Sequence, residues 1–215
     1  MPTRSKVLVP VSGGIESTAL AFLAHKEGRE PIALCFDDST PFWEEREKPS
    51  IKAIFNLTHI RLVEARLADT DDLCTFTPGP PPHPEAKYIC GFKMLMGVTA
   101  LAYAEKFRCN EIWLGHMVDN TFRDESTGFL HSLSTLYQIT YGPNIQFKEP
   151  FKLMQKWETV KVAKKLGVPF SLTLSCNHET LPPLIHCGKC SLCKSRRQAF
   201  KRARVKDPTK YEVVK

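Results

Sequence analysis

Two kinds of apolar pattern alternate along the chain. Short continuous runs, KVLVPV at 6–11, PIALCF at 31–36, HIRLV at 59–63 and EIWLG at 111–115, are bounded by turn residues and rich in β-branched side chains. Runs of this length read as strands covered on both faces. Between them lie longer stretches rich in helix formers, several with apolar residues at helical spacing: ESTALAFLAHK at 16–26, residues 43–57, KMLMGVTALAYAEKF at 93–107, and residues 157–166. These read as helices, with Gly28 and Gly167-Val168-Pro169 as stop signals. The methionines and aromatics of 93–107 are expected in the core. Residues 170–174 read as a last short strand, followed by a cysteine-rich segment and a basic helix. Strands alternating with helices predict an α/β fold, a parallel sheet sandwiched by helices with ligands at the carboxyl ends of its strands. The expected division is a sheet-bearing domain over 1–170 and a cysteine-rich segment with its basic helix over 171–215 packed on the same domain.

One stretch breaks the alternation. Residues 69–84 carry Pro78-Gly79-Pro80-Pro81-Pro82-His83-Pro84, which is poor in ladder donors and is expected to be a loop, either a lid over a site or a plain surface excursion.

Charge sharpens this picture. The net charge is +7, and nine basic against two acidic residues from Lys194 onward account for all of it, so the body is neutral. A basic tail on a neutral body suits a small anion or another chain, or is simply a solvated helix. No broad basic surface interleaved with aromatics is visible, so nucleic acid is not expected as a direct substrate. No apolar run approaches a membrane span, and the N-terminus lacks a leader-like apolar segment. A cytoplasmic location is expected, where the eight cysteines would serve as thiols and metal ligands.

The first candidate chemistry follows the first strand. In Val11-Ser12-Gly13-Gly14-Ile15-Glu16-Ser17-Thr18 the paired glycines allow a tight turn. The helix behind them offers free N–H groups and a positive dipole end, an arrangement suited to phosphate. Ser12, Ser17 and Thr18 add hydroxyls; a serine-capped helix after a glycine turn is the plainer alternative. No Gly-Lys-Ser/Thr follows, so this is not a Walker loop. It resembles the SGGxDS signature of PP-loop ATPases, which cleave ATP between the α- and β-phosphates, with Glu16 standing where that group has aspartate.

The second is Cys176, Cys187, Cys190 and Cys193. Three cysteines at two-residue spacing and one upstream supply four thiolates, a tetrahedral zinc set with no open position and hence a structural role. An iron–sulfur cluster or redox thiols are the competing readings, and His178 and His186 within the loop offer substitute ligands. Cys35 and Cys109 are expected in the core and Cys90 near the site, while Cys74 carries no expectation.

The two signals together resemble the 7-cyano-7-deazaguanine synthase (QueC) family. Its S-C…C-G-x-C-x-x-C-x-L-R-x-x-A-F pattern appears as Ser175-Cys176, then Cys187-Gly188-Lys189-Cys190-Ser191-Leu192-Cys193-Lys194-Ser195-Arg196-Arg197-Gln198-Ala199-Phe200, with Ser195 replacing the leucine. Gly167-Val168-Pro169 with Thr173-Leu174-Ser175-Cys176, and Pro150-Phe151 with Lys156-Trp157-Glu158-Thr159-Val160, are also similar to family stretches. Asp119 with Phe122-Arg123-Asp124 loosely echoes its acidic loop. The resemblance spans 6–200. It implies an adenine nucleotide alpha hydrolase-like fold, and a ligase that turns 7-carboxy-7-deazaguanine into the amide and then the nitrile (preQ0) using ATP and ammonia. The implied cofactors are ATP, Mg2+ and Zn2+, and family members often pair as homodimers. By the resemblance, Lys156, Glu16 and Asp124 are candidate catalytic residues. Val11, Ser12, Gly13, Gly14, Ile15, Glu16, Ser17, Thr18 and Gly115 are candidates for ATP, and Phe92, Lys93, Asp119, Phe122 and Arg196 for the substrate. No glutaminase motif is visible as an ammonia source.

Departures cluster around the substrate. Cys90-Gly91-Phe92-Lys93 stands where the family carries an arginine, and Asp38-Ser39-Thr40 where it has Tyr-Gly-Gln. These leave open a divergent enzyme that stops at the amide or takes another carboxylate. They also leave open one acting on a tRNA base or protein terminus, or a zinc-stabilised binding module without turnover.

Overall fold

The computed structural model describes residues 5–67, 76–78, 87–89, 91–118, 126–178 and 181–212. Five strands form one parallel sheet: β1 (Lys6–Pro10), β2 (Glu30–Asp37), β3 (Arg61–Arg66), β6 (Glu111–Trp113) and β7 (Gln146–Lys148), in the order β3-β2-β1-β6-β7. Val7, Leu8 and Val9 are completely buried, which is why this run carries no alternation: β1 is the central strand, and each face meets helices.

On one face Val7, Val9, Ala33 and Cys35 pack against α1 (Ile15–Lys26), α2 (Lys48–Phe55), α5 (Lys156–Leu166) and α6 (Ser191–Ala203). On the other, Leu8, Ile32, Leu34 and Phe36 meet α3 (Phe92–Phe107) and α4 (Thr127–Tyr141). Each Val, Leu, Ile or Phe among these contributes about 2 kcal/mol when fully buried. The chain leaves β1 toward β2 and later returns to its other side as β6, so the topological switch, where α/β sheets hold ligands, lies between β1 and β6. Strand β4 (Phe76–Pro78) falls inside the stretch expected as loop and pairs antiparallel with β5 (Lys87–Ile89), for which no element was expected. A short parallel pair, β8 (Ile185–His186) with β9 (Lys210–Tyr211), ties the cysteine segment to the stretch beyond α6. Among the described residues no helix is long and apolar enough to cross a membrane.

The expected helix over 43–57 begins as a π-helical turn, Trp43–Glu47, and continues as α2. The expected strand over 170–174 is instead a 3-10 turn, Phe170–Leu172. Its carbonyls have other partners: Arg196 and Thr173 bond Phe170 O, and the Ser50 hydroxyl bonds Leu172 O.

Candidate active site and metal centre

Two loops meet at the switch. The phosphate-loop candidate leaves β1 at Val11, whose amide still bonds Leu34 O, and enters α1 with Gly14 as its N-cap. No side chain caps that helix, so its first turn keeps donors for a ligand. Gly13 adopts a φ of +72°, and a Cβ there would lie 2.7 Å from Ser50 Oγ. Its carbonyl accepts the Leu174 amide at 2.8 Å, joining the loop to the segment that leads into the cysteines. From the other side Gly115, just past β6, lies so close that a Cβ would stand 3.2 Å from Glu16 Cβ and from Ser17 N.

Between these loops opens a cavity of about 320 Å³. Ser12, Glu16, Ser17, Gly115 and Lys156 give it a polar side; Phe36 from β2, Met96 and Ala100 from α3, and Phe129 and Leu130 from α4 give it an apolar one. Lys156 opens α5 behind a capping box in which the Gln155 amide bonds Glu158 Oε2, and it reaches Glu16 Oε1 with Nζ at 2.9 Å. Burial pushes the Glu16 carboxyl up, but Lys156, with Arg196 farther off, more than offsets this and holds it below the usual carboxylate range. The longer side chain of Glu16 thus keeps its charge and has a fixed partner.

The candidate residues divide accordingly. Val11, Ser12, Glu16, Ser17, Lys93, Gly115 and Lys156 line the cavity. Ile15 is a core residue, available only through its backbone. Thr18 offers neither group: its amide bonds Gly14 O and its hydroxyl is sealed in the interior. Arg196, expected at the substrate, is corrected to an internal brace. Its guanidinium is fully buried and bonds Phe170 O at 2.8 Å, Thr173 Oγ1 at 2.9 Å and Ser175 Oγ at 3.0 Å, with Asp207 beside it. Phe92 packs half-buried against the α3–α4 core rather than lining the cavity. The α3 methionines also differ from expectation, since Met96 lines the cavity and Met94 is exposed. Asp119, Phe122 and Asp124, and Cys74 and Cys90, lie outside the described residues. Cys35 and Cys109 are core thiols, pushed by burial to about 12 and about 11.

Sequence reasoning passed over one cavity group. His116 lines the cavity and its Nδ1 lies 2.9 Å from Glu149 Oε1. Lys152 reaches the same oxygen at 3.0 Å, and the Thr127 hydroxyl donates to Glu149 Oε2 at 2.8 Å. A polar residue directly after the strand expected over 111–115 was the signal available for it.

At the other end of the chain the ligand atoms of Cys176, Cys187, Cys190 and Cys193 all lie within 4.8 Å of one another. A tetrahedron with metal–sulfur bonds of about 2.3 Å has edges near 3.8 Å, and Cys187 Sγ lies 3.9 Å from Cys193 Sγ. Backbone amides of His178 and Cys187 point at Cys176 Sγ, those of Lys189 and Cys190 at Cys187 Sγ, and that of Cys193 at Cys190 Sγ, each at 3.4 Å. Burial raises the Cys187 thiol, yet these amides and the neighbouring sulfurs bring it down to about 6. The donor set fits one metal ion. His186 stands apart from it: burial lowers its imidazole to about 4, and Nε2 accepts the Ser175 amide at 3.0 Å.

Both centres lie in a single match. Residues 6–204 fit the family described as queuosine biosynthesis protein QueC. The chain belongs to the QueC family. Its members catalyse ATP-dependent C–N bond formation. A 7-cyano-7-deazaguanine synthase of Saccharophagus degradans is 27% identical over 97% of this chain and 99% of that protein. One from Persephonella marina is 25% identical over 97% of each. Among solved structures, the U34-tRNA thiolase NcsA from Methanococcus maripaludis, with its [4Fe-4S] cluster, superposes with a TM-score of 0.54 at 14% identity, covering 94% of this chain and 68% of that one. That likeness is one of fold. The family match runs through α6, so this QueC chain carries its cysteine centre within the matched region.

Proposed function

We propose that this chain adenylates the carboxylate of 7-carboxy-7-deazaguanine with ATP and, with ammonia, carries it through the amide to 7-cyano-7-deazaguanine. The observation that carries the reading is the Lys156–Glu16 pair at 2.9 Å, in a cavity with a helix N-terminus on one side and an apolar wall on the other. A carboxylate resists ammonia until it bears a leaving group. Attack of the substrate carboxylate on the α-phosphorus builds negative charge there, which Lys156 is placed to offset. Gly13 and Gly14 let the loop close around the departing pyrophosphate, with amides of the first α1 turn and the Ser12 and Ser17 hydroxyls as donors. Mg2+ arriving with ATP would lower the charge on the phosphates, and Glu16 is the carboxylate among the described residues that line the cavity. Phe36, Met96 and Phe129 offer flat or yielding apolar surface to a planar base. Lys93 supplies a cation for the carboxylate in the absence of the family's arginine. Asp124 as a catalytic group, and Asp119 and Phe122 as substrate contacts, are carried on the resemblance alone.

The metal ion is assigned as zinc in a closed four-thiolate site, where it holds shape rather than performing chemistry. Incubation of the purified protein with ATP, ammonia and 7-carboxy-7-deazaguanine tests the reading by mass spectrometry. Nitrile with AMP and pyrophosphate is expected; amide alone narrows the activity to the first step, and no AMP in the presence of the base overturns the reading.

A further inference from the structure

The ionisable side chains among the described residues lining the cavity are Glu16, Lys93, His116 and Lys156. Amide formation releases a proton, so the site needs a group with a lone pair to receive it. A protonated lysine has none, and Glu16 is ion-paired with Lys156. His116 differs. Glu149 is an acceptor with its charge secured by three neighbours: burial raises its carboxyl, but the Thr127 hydroxyl, Lys152 and His116 hold it below the usual range. Facing an acceptor, Nδ1 of His116 must donate, which leaves the lone pair of the neutral ring on Nε2. A carboxylate behind an imidazole both fixes the tautomer and steadies the imidazolium that forms.

We propose that His116 is the general base of the ammonia step, with Glu149 as its positioning residue; this rests on the adenylation reading above. The ammonia nitrogen bonds the carbonyl carbon of the acyl adenylate. The carbon–oxygen bond to AMP breaks and its electron pair leaves on the AMP oxygen. The surplus proton on nitrogen passes to His116 Nε2 and the charge is met across Nδ1 by Glu149. Among the described residues, Glu149 and Lys152 from the turn after β7 stand behind this ring, and Glu16 from α1, Lys93 from α3 and Lys156 from α5 line the same cavity; α4 contributes the Thr127 hydroxyl through Glu149.

The test separates the two half-reactions. Carboxylate-dependent exchange of labelled pyrophosphate into ATP reports adenylation; amide production reports the ammonia step. For His116→Gln, the ratio of amide formation to exchange is expected to fall on the order of 100-fold or more, with partial recovery on adding imidazole. Glu149→Gln is expected to lower the same ratio by about 10-fold and to move the acid limb of the amide-formation pH profile, which a purely structural contact would leave in place. A ratio within about threefold of wild type in His116→Gln overturns the proposal. So does a parallel loss of exchange and amide formation, which would assign the histidine to the nucleotide or the fold. Absence of exchange in the wild type would instead sink the adenylation reading itself.

Discussion

The cavity at the switch point and the cysteine centre handle charge in opposite ways. The cavity depends on backbone that approaches closely because side chains are missing, at Gly13 and Gly115, and on one ion pair left open to a ligand. The cysteine centre depends on side chains that converge, with five amide-to-sulfur contacts turned inward and no position to spare. An open site tolerates small displacements by losing rate, whereas a closed one holds or fails as a unit.

Removing the metal should have the largest effect. Chelation, or Cys187→Ser, is expected to withdraw roughly 10 kcal/mol of apparent binding energy, visible as a steep drop in the melting midpoint together with loss of metal by elemental analysis. Cavity variants should keep the metal, and one that released it would erase the contrast. Lys156→Met comes next, with an expected fall of about 100- to 1,000-fold in turnover. It leaves Glu16 buried without its cation, at about 3–5 kcal/mol in denaturant unfolding. Adding Glu16→Gln should return most of that stability and none of the rate, and recovery of rate would remove Lys156 from the chemistry. Gly115→Ala is smaller. Its methyl must push aside the start of α1, costing about 1–3 kcal/mol, chiefly seen as weaker ATP binding in calorimetry. The smallest effect is on acid stability. Glu16 and Glu149 are both held below their ordinary range, so their contribution is complete above about pH 4.3 and drains away as pH falls through that value toward the folded ones. Glu149→Gln should flatten part of that acid slope in pH-dependent melting.

The cysteine centre and the glycine turn were plain in the sequence, because each is a local pattern whose residues have few other uses. The parallel sheet was also legible, since β1 and β2 are apolar without alternation. Helix α4 was not assigned: Thr127–Tyr141 is rich in Ser, Thr and Tyr, and Leu130, Leu133 and Tyr137 mark only a narrow buried stripe. Its apolar residues elsewhere, Leu136 and Ile139, face outward and blur the periodicity. Arg196 misled because the resemblance assigned this cation to the substrate, while its actual partners are carbonyls at 170 and 173, the hydroxyls of Thr173 and Ser175 and the Asp207 carboxylate, invisible until the chain folds. His116 escaped notice for the complementary reason, as its meaning depends on Glu149, 33 positions away.

The hydrogen bond from the Leu174 amide to Gly13 O reaches beyond its own energy. A peptide unit is flat and trans, so fixing the oxygen of residue 13 on one side compels the hydrogen of residue 14 to point the opposite way. Leu174 lies two residues before Cys176, the first of the four converging cysteines. The far end of the polypeptide therefore sets the aim of a donor at the beginning, steering one N–H of the glycine turn from a distance.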